Sequence, residues 1–209
     1  GDDEIDFNIQ RLGLWIRYNQ KSAISENEWM ALKVNTLPKL KGKLFVGIKY
    51  GYDGVNVAMS IAVKTVDDNI FVEAIDCQSV RNGIAWIISF LKEADIQEVI
   101  VDGASGQNLL AQEMKDAGLK KPILPTVKEI IVANATFEQA LFQQTIRHRG
   151  QPSLSQVVTN CEKRSIGTSG GFGYRSQIEE YDIALMDSVI LAHWAASSSK
   201  PPKKQKISY

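Results

Sequence analysis

The sequence predicts an α/β domain built on a mixed central sheet flanked by helices, and three observations carry that prediction. Leu44 to Cys77 reads as three successive strands joined by tight turns; Ile84, Ile87, Ile88 and Leu91 then recur at helical spacing; and a short apolar run, Val99-Ile100-Val101, follows and ends on Asp102. Sequential strands pair as an antiparallel meander, whereas a strand reached through a helical crossover returns parallel to the first. At 209 residues the chain is long enough for one substantial core with appendages.

In order, residues 1–40 read as an N-terminal arm or interdomain connector without a core of its own. Ile5, Phe7 and Ile9 alternate weakly, Leu12, Leu14, Trp15 and Ile16 cluster, and Ser25 with Glu28 forms a capping-box pattern before Trp29 and Leu32. Residues 41–197 form the domain. Its first strand, Leu44 to Tyr50, runs into the turn Gly51-Tyr52-Asp53-Gly54, and strands over Met59 to Thr65 and Asn69 to Cys77 follow. A helix over Val80 to Ala94 leads to the strand ending at Asp102. Gln107 to Ala117 is a second helix, closed by Gly118 as its C-cap. The flanking prolines of Pro122-Ile123-Leu124-Pro125 suit a short edge strand, and Thr126 to Thr145 is a long helix. Arg147 to Pro152 is basic and rich in breakers, and a short helix around Leu154, Val157 and Val158 follows. Gly167 to Tyr174 holds too much glycine for regular structure. It lacks the ordered pattern of a phosphate loop, so a mobile loop or hairpin is the favoured reading. Ile178 to Ser197 reads as an apolar helix with Asp187 in its middle, and residues 198–209 as a flexible basic tail.

The formal net charge is zero, so only local patches can argue for a nucleic-acid partner. Arg147, His148 and Arg149 form one such patch, which Lys163, Arg164 and Arg175 extend; a solvated basic surface explains them almost as well. Cys77 and Cys161 lack metal-ligand spacing, in keeping with a reducing compartment and against structural zinc. No run approaches the length of a membrane span, and the start lacks a signal-peptide pattern.

Two carboxylates stand out. Asp102 ends a strand where side chains emerge from a rigid sheet, although Asp is also a common turn residue there. Asp187 shares a helical face with Ile183, Ile190, Leu191 and Trp194, so its carboxylate needs a metal ion or a cationic partner. Converging, the pair could hold Mg²⁺ or Mn²⁺, and two such ions serve phosphodiester hydrolysis. A third carboxylate should come from the first strand, which offers Lys49 instead. Asp53 lies four residues further on and reads better as a turn former. The Lys49 ammonium could touch a scissile phosphate; the favoured reading is that it occupies the metal position and pairs with Asp102 and Asp187. His193 reads as a core or interface residue.

Taken together, Phe45-Val46-Gly47-Ile48-Lys49-Tyr50 with Asp53, Val99-Ile100-Val101-Asp102, Arg147 to Leu154 and Asp187-Ser188-Val189-Ile190-Leu191-Ala192 resemble the C-terminal nuclease domain of the large terminase subunit of tailed bacteriophages. Arg11-Leu12-Gly13-Leu14-Trp15 and Trp29 are similar to the segment linking that family's ATPase and nuclease domains. The resemblance spans residues 8–197 and rests on order and spacing, with no single specific motif. It implies an RNase H-like fold and a metal-dependent endonuclease that cuts concatemeric viral DNA during genome packaging, using two Mg²⁺ or Mn²⁺ ions in an active form. Asp102 would be the strand-end metal carboxylate and Asp187 the helical one, with Asp182 the fallback. The family has Asp where this chain has Lys49, so activity is expected to be impaired or abolished. The implied partners are double-stranded DNA, an ATPase domain before residue 1, a small terminase subunit and a portal, with no membrane, in the bacterial host cytoplasm during phage assembly. The alternatives are an inactive DNA-binding or packaging-assembly module and an RNase H-like recombination or junction nuclease.

Overall fold

The computed structural model describes residues 21–199. The strand-like and apolar segments expected over residues 5–16, and the basic tail from Lys200, lie outside them. Three long strands, β1 (Leu40–Tyr50), β2 (Asn56–Thr65) and β3 (Ile70–Ser79), form the antiparallel meander. Helix α1 (Glu26–Met30) precedes them, with Ser25 and Glu28 making the reciprocal capping bonds. Helix α2 (Ala85–Glu93) crosses to β4 (Ile96–Asp102), which lies parallel to β1. Helices α3 (Gln107–Asp116) and α4 (Val127–Gln143) follow, with Gly118 at φ +73° closing the first and a Thr126–Glu129 capping box opening the second. The segment Pro122 to Pro125 makes an isolated bridge from Ile123 to Ile100 on the outer side of β4. A two-residue strand, β5 (Ile146–Arg147), a short helix, α5 (Pro152–Val158), the hairpin β6 (Cys161–Ile166) and β7 (Gly171–Ser176), and helix α6 (Ile183–Ser198) complete the fold.

The strand order is β4-β1-β2-β3-β5. Alternation along β1 sorts its residues between two cores. Val46, Ile48 and Tyr50 join Ile87, Leu91, Leu110 and Met114 of α2 and α3 on one face. Phe45 faces α4 and α6 on the other, where Phe137, Met186, Val189 and Ala192 are buried. Gly47 and Lys49 share the parity of Phe45 and so belong to the α6 face. No helix of the described residues is long and apolar enough to cross a membrane.

Ile24, Trp29 and Leu32 are buried in the same core as α6. Three details depart from the sequence reading. Strand β5 lies at the junction between the long helix and the basic, breaker-rich stretch that begins at Arg147, and no sequence signal marks it, because two residues are too few to show a period. The last helix begins at Ile183 instead of Ile178, since Asp182 caps it by accepting from the Ala184 N–H at 2.9 Å. Within the glycine-rich run, Gly167 to Gly170 form the tip of the β6–β7 hairpin, with Gly167 and Gly170 at positive φ, whereas Gly171 to Tyr174 belong to the regular strand β7.

Candidate functional site

The site is assembled by register and by one glycine. In the parallel β1–β4 pair, Lys49 and Asp102 are direct partners, so the strand ends set their side chains next to each other. Helix α6 reaches the same corner because residue 47 has no side chain. A Cβ there would lie 2.1 Å from the Ser188 carbonyl oxygen and 2.7 Å from the Ala192 nitrogen, so the helix backbone rests directly on the strand. Ser188 fixes the helix further. Its hydroxyl donates to the Leu185 carbonyl at 2.7 Å, which leaves Ser60 to donate into Ser188 Oγ at 2.7 Å. Asp187, adjacent to that contact, enters the corner held by Lys49 and Asp102.

The result is a cavity of about 310 Å³ lined by Lys49, Tyr52, Asp102, Asn134, Arg164 and Asp187 over an apolar floor. Lys49 Nζ donates to Asp102 Oδ2 at 2.5 Å in a largely buried ion pair. Asp187 Oδ2 is shut off from solvent and has no hydrogen-bond partner among the described residues. Burial pushes its pKa up to about 6; Lys49 and Arg164 pull it down, while Asp102 and Asp182 add to the rise. Arg164, from β6, lies 4.8 Å from the Tyr52 ring centroid, and Lys49 Nζ lies 5.2 Å from the same centroid.

The other residues singled out by sequence lie elsewhere. Asp182 is committed to helix capping and to Asn56, whose Nδ2 donates to it at 2.8 Å, so the cavity takes Asp187. Asp53 accepts from the Val55 N–H at 3.0 Å within its turn and does not line the cavity. His148 is buried, stacked on Trp29 at 3.9 Å between centroids, and cannot belong to an exposed patch. Its Nδ1 accepts from the Gly150 N–H at 2.9 Å, so Nε2 carries the proton donated to the Trp29 carbonyl at 2.7 Å. Burial lowers its pKa. The charges of Lys163 and Arg175 are paired with Glu138 and Glu162, each at 2.5 Å. Arg147 donates to the Gln144 and Ile146 carbonyls at 2.6 and 2.8 Å, and Arg149 is exposed. His193 is buried edge-on to Phe137, its pKa lowered by burial to about 4, as suits a core residue.

Tyr52 and Asn134 escaped the sequence reading. An aromatic in a glycine turn and an Asn within an amphipathic helix carry no local signal of a shared cavity.

The donor set does not fit a two-ion centre. Lys49 holds one of the two carboxylates, and among the described residues no group of three or more His, Cys, Asp and Glu side chains is placed to hold a metal ion. Asp102 and Asp187 remain the carboxylates facing the cavity.

No protein-family profile and no curated protein sequence matches the chain. Solved structures do. The large terminase of HK97 bacteriophage superposes with a TM-score of 0.63 at 15% identity, covering 82% of this chain and 43% of that one, so the present chain spans less than half its length. The large terminase nuclease from thermophilic phage G20c gives 0.57 at 14% identity, covering 87% of this chain and 100% of that one. The same nuclease with bound magnesium gives 0.53 at 13% identity, covering 84% and 97%. The five-stranded mixed sheet with helices on both faces is thus the RNase H-like fold of large terminase nuclease domains.

Proposed function

We propose that this chain is the nuclease domain of a DNA-packaging terminase in which Lys49 disables metal-dependent cleavage, leaving a domain that engages duplex DNA. The observation that carries the proposal is the 2.5 Å pair between Lys49 and Asp102 at the ends of two parallel strands. An ammonium donates and cannot coordinate a cation, so it satisfies Asp102 from the side on which an ion would have to sit. The shared fold, and the magnesium bound by one nuclease that has it, support the reading that such a corner once served phosphodiester hydrolysis. Asp102 and Asp187 are its remaining acidic groups, and Lys49 and Arg164 are the cations that line the same cavity. The packaging ATPase, the small terminase subunit and the portal are the further partners of this proposal, and the host cytoplasm is its setting.

A specific feature also favours the packaging-assembly reading. A satisfied Lys–Asp pair holds β1 against β4 without a metal, which keeps the domain folded where cleavage is not needed.

Plasmid cleavage by the wild-type protein and by Lys49→Asp, each with Mn²⁺, Mg²⁺ or EDTA, tests the proposal. Metal-dependent cutting is expected only after the substitution, with a gain of roughly two orders of magnitude or more. Equal metal-dependent cutting by the wild type would overturn it.

A further inference from the structure

Two cations meet one exposed aromatic ring at the mouth of the cavity. Tyr52 is 67% exposed, and both Lys49 Nζ and the Arg164 guanidinium carbon lie within 5.2 Å of its centroid. The turn that carries it is fixed: Gly54 N–H donates to the Gly51 carbonyl at 3.0 Å, Gly51 N–H to Asn56 at 3.0 Å, and Asp53 accepts from Val55. The cations differ in what they have left to give. Lys49 has three donors and spends one on Asp102, while Arg164 forms no salt bridge among the described residues. Among the described residues the one side-chain hydrogen bond of Arg164 is long, from Nε to the Tyr174 carbonyl at 3.4 Å. Opposite Arg164 across the hairpin stands Gly173, where a Cβ would meet Ile166 at 2.7 Å, and Arg164 and Gly173 both line the cavity. A guanidinium without a salt bridge and a partly committed ammonium that line one cavity are a donor set suited to phosphate oxygens.

Resting on the DNA reading above, we infer that the cavity mouth holds a phosphate of the nucleic-acid backbone directly, on Arg164 and Lys49, with no divalent ion between, and that Tyr52 positions the two cations. Asp102 does not oppose this, because Lys49 neutralises it. Asp187 does, being the carboxylate that a phosphate on this site must face. The two ways of holding a phosphate therefore respond in opposite directions to its removal. A metal-bridged phosphate needs Asp187, whereas a directly held one is freed of a repulsion.

The test is fluorescence anisotropy of a short labelled DNA duplex with the full chain, in Mg²⁺ and in EDTA, for the wild type, Arg164→Ala, Tyr52→Ala, Tyr52→Phe and Asp187→Asn. Affinity is expected to be the same in both buffers. Arg164→Ala should weaken it roughly tenfold, and Tyr52→Ala by a smaller factor that Tyr52→Phe restores. Asp187→Asn should bind as tightly as the wild type or more tightly. Loss of binding in EDTA, unchanged affinity in Arg164→Ala, or weakening in Asp187→Asn would each overturn the inference. Displacement of the duplex by inorganic phosphate at equal concentration would assign the site to free phosphate and overturn the nucleic-acid source. If the wild type does not bind DNA but Lys49→Asp cuts it, this inference fails together with the DNA engagement proposed for the Lys49 chain, and the disabled-nuclease reading stands. If neither occurs, both fail.

Discussion

Two buried polar corners of this molecule are built in opposite ways. Around His148, every polar group is answered: both ring nitrogens are hydrogen-bonded, the ring stacks on Trp29, and the Trp29 indole donates to Ser155 Oγ at 3.0 Å. Around Asp187, one pair is answered, and two buried oxygens of the same cavity, on Asp187 and Asn134, have no partner among the described residues. Lys49 satisfies Asp102, yet Asp187 Oδ2 has no partner among the described residues. A closed network of neutral groups fastens the 22–34 segment to the domain. An open one, rich in charge and facing a cavity, is the signature of a place where the fold accepts instability to keep chemistry or binding at hand.

The contrast can be broken first at the closed corner. Trp29→Ala removes a fully buried indole, its stack and its hydrogen bond, and should cost about 3–5 kcal/mol in denaturant unfolding. A loss below about 1 kcal/mol would show that the N-terminal segment is not integral to the core. Gly47→Ala attacks the open corner through its backbone. The added methyl would meet the Ser188 carbonyl and the Ala192 nitrogen, neither of which can rotate away, so α6 must shift, at a cost of about 1–3 kcal/mol. Unfolding titration measures that cost, and the same variant should lose the DNA affinity assigned above to the cavity mouth.

Acid sharpens the comparison, because the two corners respond with opposite sign. His148 has a lowered folded pKa, so its contribution is present above the ordinary histidine value and is lost as pH falls below it. Asp187 has a raised one. Its stability contribution is full below the unfolded carboxylate range and is lost as pH rises through about 6. Asp187→Asn should therefore stabilise the protein above pH 6, by at most about 3 kcal/mol, with the gain fading toward pH 4. Thermal unfolding across that range reads the difference. A gain independent of pH would mean that the carboxylate charge is not its source.

Much of this was legible in the sequence where a residue's role is set by its neighbours in the chain. The apolar strand ending at Asp102, the capping residues Ser25 and Thr126, and the crossover geometry all follow from local periodicity and stereochemistry. The sequence reading pairs Lys49 with both Asp102 and Asp187; the parallel strands set it against Asp102, while no salt bridge joins it to Asp187 among the described residues. What stayed hidden depends on distant partners. His148 looks like a surface cation among arginines until Trp29, 119 positions away, closes over it. Asp182 and Asp187 compete on paper, and only the start of α6 separates a cap from a cavity carboxylate. Arg164 looks like any basic residue of a hairpin until the hairpin folds back onto the turn carrying Tyr52.

The central claim is that Lys49 takes the place of a metal ion. Anomalous diffraction from crystals soaked in Mn²⁺ tests it most directly, with the wild type and Lys49→Asp treated alike. The account predicts no Mn²⁺ peak between Asp102 and Asp187 in the wild type and a strong one in the variant; a peak of equal height in the wild type, with Lys49 displaced from Asp102, would contradict it.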